Sequence, residues 1–213
     1  MSLLHDLPPR IAARLLPGVI AKGSPGAVYL TFDDGPDPET TPDFLRVLAE
    51  LECQATFFLT GEKIPGNEQI VVETLQGGHG LGAHGYHHRS LLQANCNRLR
   101  IEVNSTLDAI EAACGQRPRL FRPPYGRIAP SGCNELQRLG LTTVLWSRSA
   151  RDWKASSPAL LASRIIDSTS DGNIILLHDS GKGATTTLEA LPAIIRGIRA
   201  KGFRLAQLED LTR

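Results

Sequence analysis

Short apolar runs rich in β-forming residues alternate with helix-patterned stretches along most of this chain, and that alternation limits the fold more than any other feature. Strands are predicted at Ala27–Phe32, Ala55–Leu59, Leu81–Ala83, Leu120–Phe121, Thr142–Trp146, Asn173–Leu177 and Phe203–Ala206. Helices are predicted between them. One runs from Pro42 to Leu51 with Thr41 as N-cap, and others cover Ile70–Leu75 and Asn97–Cys114, the latter closed by Gly115. Further helices follow at Ser131–Leu139, from Pro158 after a Ser157 cap, and at Leu188–Ala200. Strands separated by helices pair in parallel, because a crossover helix returns the chain to the same edge. The chain has 213 residues, short of the ~250 typical of an eight-fold barrel. The expected fold is α/β, a distorted or incomplete (β/α) barrel of about seven units, with an open doubly wound sheet as the alternative. One domain spanning 1–213 is expected, with 1–26 as a leading segment packed on it.

Charge sets few partners. The formal charge is +1, so nothing calls for nucleic acid or an anionic membrane surface. No apolar run approaches the roughly 20 residues of a transmembrane helix. Near the N-terminus, Leu15-Leu16 and Val19-Ile20 are apolar, but Arg10, Arg14, Pro8, Pro9 and Pro17 interrupt them. Without an uninterrupted apolar stretch the expectation is a cytoplasmic protein. Cys53, Cys96, Cys114 and Cys133 form no C-x-x-C pair, which argues for reduced, mostly packing cysteines. Nothing in the sequence sets an oligomeric state.

The polar residues carry the functional signal. Asp33-Asp34, His84, Arg122, Trp146 and His178 each follow the end of a different predicted strand. In barrels and open α/β sheets that edge is where ligands bind, so residues a hundred positions apart meet in one cleft. Asp33 and Asp34 are adjacent carboxylates, which repel unless a positive charge lies beside them. His84 and His88, with one of these carboxylates, make a two-His-one-carboxylate set that leaves open positions on a divalent metal. The second carboxylate is then free to act as a general base. His87 is assigned a supporting or solvent role, and His79 and His5 are taken as surface residues. Asp179, Ser180 and Lys182 border the site by position alone.

Five motifs in order then resemble the polysaccharide deacetylases of the NodB-homology group, carbohydrate esterase family 4, over about Val28 to Leu208. Thr31-Phe32-Asp33-Asp34-Gly35-Pro36 resembles the first motif and implies Asp33 as catalytic base and Asp34 as metal ligand. His84 to His88 resembles the second and implies both histidines as ligands. Arg122-Pro123-Pro124-Tyr125-Gly126 resembles the third, with Arg122 orienting Asp33 and the Tyr125 N–H binding an oxyanion. Asp152-Trp153 resembles the fourth, with Trp153 as a cleft wall. Leu176-Leu177-His178 resembles the fifth, with His178 as general acid, Asp152 as its partner and Leu176 lining an acetyl pocket. Two positions depart from the pattern. Gly85 replaces a Ser or Thr that braces the histidine loop, and Ser149 replaces an additional Asp.

The resemblance implies a metal-dependent hydrolase that removes N-acetyl groups from amino sugars in oligo- or polysaccharides and releases acetate. One divalent metal is implied, zinc first, with cobalt, nickel or manganese as alternatives. Three rivals stand beside it. A non-haem iron oxygenase also uses two His and a carboxylate, but its histidine-x-acid spacing is absent and it leaves the second Asp without a role. A non-catalytic sugar-binding protein would have no use for Asp33, Arg122 and His178. A small amide or lipid-linked sugar is the remaining alternative substrate. Only 5% of residues are aromatic, which favours short oligosaccharides over a long polymer groove.

Overall fold

The computed structural model describes residues 9–208. The elements run α1 (Pro9–Leu15), β1 (Val19–Ile20), β2 (Ala27–Asp33), α2 (Thr41–Glu50), β3 (Thr56–Leu59), α3 (Glu68–Gln76), β4 (Gly80–Ala83) and α4 (Cys96–Cys114). They continue with β5 (Leu120–Phe121), α5 (Pro130–Arg138), β6 (Thr142–Val144), β7 (Arg148–Ser149), α6 (Pro158–Ser168), β8 (Ile174–His178), α7 (Ala184–Ala200) and β9 (Arg204–Leu205). The sheet order is β1-β6-β5-β4-β3-β2-β8-β7, with β9 pairing β2, and every one of these pairings is parallel.

Strand order alone requires curvature. β6 and β7 lie six places apart in that order, which in a flat sheet is roughly 29 Å. Yet only residues 145–147 join them, a link that reaches at most about 14 Å between flanking Cα atoms. The sheet therefore curls until its edges approach. The linking residues touch both edges, since the Leu145 N–H donates to the Ile20 carbonyl and the Ser147 N–H to the Ile174 carbonyl. This is the expected incomplete barrel, and it excludes the open doubly wound alternative.

Period-two alternation divides the core. Along β2, Val28, Leu30 and Phe32 join the layer between sheet and helices, while Ala27 and Tyr29 join the barrel interior. Continuing that alternation turns Thr31 and Asp33 inward above Tyr29. β8 repeats the division, with Ile175 and Leu177 in the outer layer and Ile174 inside. Leu176 and His178 therefore lie on the interior side. Asp33 and His178 are in-register neighbours on adjacent strands.

Several local expectations shift. Thr40, rather than Thr41, is the N-cap position of α2. Thr41 begins the helix with its hydroxyl tied to Asp37 and Asp179. The strand expected through Trp146 ends at Val144, where the chain leaves to cross the barrel opening. α7 begins at Ala184 rather than Leu188, as tertiary packing overrides the weak helix propensity of Thr185-Thr186-Thr187. Within the expected leading segment, Val19–Ile20 pair with β6 as an added strand. Residues 1–8, with His5, and residues 209–213 lie outside the described residues. His79 is not a surface residue: it is buried, and its Nδ1 accepts the Ala55 N–H. All four cysteines are free, Cys53 and Cys133 buried but Cys96 exposed.

Candidate active site and metal centre

Asp33 ends β2 inside the barrel. Its Oδ1 accepts from Arg122 Nη1 at 2.6 Å. Arg122 is fully buried, and its charge is met by Asp33 although Nη2 has no hydrogen-bond partner. Nη1 also donates to Thr31 Oγ1 at 2.8 Å, Nε to the Val144 carbonyl at 3.3 Å, and the guanidinium stacks over Phe58 at 4.1 Å. Burial pulls the guanidinium down from its ordinary value, and the Asp33 carboxylate opposes that. The carboxylate is thereby fixed in position and left with Oδ2 facing the cleft side, 3.6 Å from His84 Nε2.

Asp34 turns the other way because its backbone is left-handed, with φ 75°. That conformation is uncommon for a residue with a Cβ and needs support. Lys63 Nζ and Ser180 Oγ donate to the Asp34 carbonyl at 2.7 and 2.9 Å, from the loops that follow β3 and β8 on either side of β2. The Asp34 carboxylate then lies with Oδ1 3.0 Å from His88 Nε2 and 3.4 Å from His84 Nε2.

These three side chains form the group whose donor atoms all lie within 4.8 Å of one another. Their chemistry fits a metal ion. His84 Nδ1 lies 2.7 Å from the Arg122 carbonyl, which only accepts, so Nδ1 carries the proton. A neutral His84 then presents the Nε2 lone pair towards Asp34. Asp34 Oδ1 is buried and has no hydrogen-bond donor. Lone pairs converging on one point call for a cation. Burial alone would raise the Asp34 carboxyl, but His84 and His88 hold it well below the usual carboxylate range. A divalent ion would need these ligands deprotonated. The backbone carbonyl behind His84 is the type of outer partner that fixes a ligating imidazole.

The histidine loop is braced from α4. Glu102, buried, accepts from the Tyr86 and His87 N–H groups at 3.0 Å each through Oε2, and its Oε1 meets His87 Nδ1 at 2.9 Å. His87 is thus turned to Glu102 and stays outside the donor group, as expected. Gly85 has φ 80°, and a Cβ there would come within 3.3 Å of Pro124. A carboxylate from the neighbouring helix does the bracing expected of a side chain at position 85. Glu102 was absent from the sequence reading, although it sits within the buried stripe Leu99, Val103, Thr106, Leu107 and Ile110. An acid within such a stripe is the signal that could have revealed it.

On the opposite wall His178 ends β8. Its Nδ1 lies 2.9 Å from Asp152 Oδ1, and its N–H donates to Asp152 Oδ2 at 2.8 Å. Thr187 Oγ1 of α7 donates to the same oxygen at 3.1 Å. Burial pulls the imidazole down, but the Asp152 carboxylate, helped by Asp33 and Asp34, outweighs it and raises His178 from 6.5 to about 9. The Trp153 ring stands edge-on to His178 at 5.3 Å. Next to it Asp179 is wholly buried and not a wall residue. Burial raises its carboxyl to about 7, and Thr41 Oγ1 donates to it at 2.6 Å. Tyr125 is held at φ 60° in the turn Pro124–Gly126, whose hydrogen bonds use the Gly126 and Arg127 N–H groups and not its own.

The cleft these residues enclose measures about 560 Å³, and Leu176, Trp153, Tyr125 and Ser180 line it with the acids and histidines. Every site residue expected from the sequence therefore lies in or directly behind one cavity. Trp146, Arg127 and Lys182 also line it. A family model described as polysaccharide deacetylase matches residues 21–144. The chain belongs to the polysaccharide deacetylase family. It is 33% identical over 190 residues to a peptidoglycan-N-acetylglucosamine deacetylase of Bacillus cereus, covering 87% of this chain and 88% of the relative. It is also 33% identical to a chitooligosaccharide deacetylase of Azorhizobium caulinodans, covering 85% and 92% of the two chains. A crystal structure of the Bc1960 peptidoglycan N-acetylglucosamine deacetylase superposes with a TM-score of 0.88 at 31% identity, over 91% of this chain and 92% of that one. Polysaccharide deacetylases are metal-dependent, and the Asp34–His84–His88 group is where this chain could hold an ion.

Proposed function

We propose that this polysaccharide deacetylase hydrolyses the N-acetyl group of an N-acetylated amino sugar within an oligo- or polysaccharide, giving acetate and a free amine. One observation carries the reading: a carboxylate fixed by Arg122 and an imidazole fixed by Asp152 face one cleft, beside three converging metal donors. Asp34, His84 and His88 would hold a divalent ion, with zinc the first choice for this nitrogen and oxygen donor set and cobalt, nickel or manganese as substitutes. Such an ion supplies an acidified water and a polarised acetyl carbonyl.

The chain's own residues do the rest. Asp33 accepts the water's proton as the oxygen attacks the carbonyl carbon, and Arg122 keeps that carboxylate from rotating away. The Tyr125 N–H points its dipole at the oxygen that gains charge, an interaction worth about 3 kcal/mol in comparable sites. His178, protonated near neutral pH, gives a proton to the nitrogen as the C–N bond breaks. Leu176 supplies an apolar wall for the acetyl methyl, and Trp153 packs against the acid. An acid and a base are needed together only if a bond to a poor leaving group is cut, which favours hydrolysis over simple sugar binding.

Two substitutions separate the roles. Asp33→Asn keeps metal at one per chain while acetate release falls by roughly 10² to 10⁴. His84→Ala loses metal and activity together. Near-wild-type turnover in Asp33→Asn, or undiminished metal in His84→Ala, overturns the assignment.

A further inference from the structure

Part of the cleft rim carries cations that no acid pairs with. The whole chain has 23 basic and 22 acidic residues. The stretches 84–95, 122–129, 150–157 and 178–183 follow the C-terminal ends of β4, β5, β7 and β8, and each contributes residues to the cleft lining; the segments after β2 and β3 at the same edge carry exposed Glu39 and Glu62, neither of which lines the cleft. The exposed charged residues of the four stretches, histidine aside, are Arg89, Arg127, Arg151, Lys154 and Lys182, all cationic. The acids on these stretches, Asp152 and Asp179, are buried and already bonded. Among the described residues none of the five cations has an ion pair or a side-chain hydrogen bond. By contrast, Arg46 on α2 is paired with Asp43 and Glu50, and Arg100 on α4 with Glu135.

Two of these cations are part of the wall. Arg127 follows the turn that carries Tyr125, and Lys182 follows Ser180-Gly181. A neutral acetylated sugar offers oxygens that accept from a guanidinium or ammonium, but it does not balance their charge. A substituent with negative charge does, because Arg pairs with planar oxyanions and Lys with any compact one. Several like charges around a concave mouth also raise the local concentration of an oppositely charged ligand.

We propose that the rim selects amino-sugar chains carrying anionic substituents near the acetylated unit, with Arg127 and Lys182 as the residues that read the charge. The inference rests on the deacetylase reading and adds the substrate's charge to it. Zinc-loaded protein is assayed for acetate release on N-acetylglucosamine oligomers of one length in three forms: unmodified, carboxymethylated and sulfated. At low salt kcat/KM favours an anionic form roughly three- to tenfold, the difference lying in KM, since each exposed cation is worth about 1.5- to 5-fold. Raising salt from about 20 to 200 mM shortens the screening length from roughly 20 to roughly 7 Å and brings the ratio towards one. Arg127→Gln with Lys182→Gln lowers the ratio in low salt, and each single variant lowers it by less. Preference for one anionic form alone supports the proposal and identifies the anion. Equal kcat/KM for all three forms, or a preference that survives both salt and the double variant, overturns it. Failure to release acetate from any oligomer would instead refute the deacetylase reading.

Discussion

Replacing Asp152 with Asn tests how the structure holds His178, the proposed acid. Asp152 is buried, and its two oxygens accept from His178 Nδ1, the His178 N–H and Thr187 Oγ1. An amide has one acceptor oxygen, so at least one of these donors faces an NH₂ group instead. The rise of His178 from 6.5 to about 9 corresponds to at most about 3 kcal/mol of preference for the protonated ring. Because the folded-state value is the higher one, that stability is fully present below 6.5 and is lost as pH rises through about 9. Asp152→Asn should therefore cost up to about 3 kcal/mol at pH near 6 and less above pH 9. The assay is an NMR titration of the His178 ring in metal-free protein, where no ion offsets the fields of Asp33 and Asp34. The wild-type midpoint is expected near 9, and the variant's falls back towards 6.5. In the loaded enzyme the alkaline limb of kcat should move down with it. A wild-type midpoint near 6.5, or one unmoved by the substitution, refutes the argument.

Other substitutions probe the supports. Glu102→Gln removes the carboxylate charge and puts an NH₂ group in place of one of the two oxygens that meet the Tyr86 and His87 N–H groups and His87 Nδ1, and metal affinity measured by chelator competition should weaken about 10- to 100-fold. Lys63→Met removes the ammonium from the Asp34 carbonyl; affinity should fall in the same sense, with Lys63→Arg restoring part of it. Arg122→Met leaves Asp33 buried without its partner, and denaturant unfolding at pH 7 should register a loss of about 3–5 kcal/mol. Gly126→Ala places a Cβ 2.6 Å from the Trp146 ring at φ 66°, so the melting temperature should fall even though no catalytic group is changed.

The sequence revealed those parts of the fold that depend on local pattern. Apolar runs located seven strands, and the cap residues Ser157 and Gly115 marked the helix ends found for α6 and α4. It also located the candidate cleft, because a parallel sheet brings strand ends together however far apart they lie in sequence. What it concealed is long-range. β1 and β7 are two-residue strands, too short to show alternation, and only the curled sheet gives them partners. Thr41 looked like a cap because Asp179, 138 residues away, was not visible as the partner of its hydroxyl. His79 resembled a surface residue for the same reason: the Ala55 N–H that it satisfies lies 24 positions away, just before β3. Gly85 suggested a loosened histidine loop, yet the loop is held by an acid from a helix the motif does not include.

The most direct test is acetate release from N-acetylglucosamine oligomers by metal-stripped protein, before and after adding one equivalent of zinc or cobalt. Release that is absent without metal and restored by it is the predicted result. Tight binding of one metal per chain, with no acetate released under either condition, would contradict it.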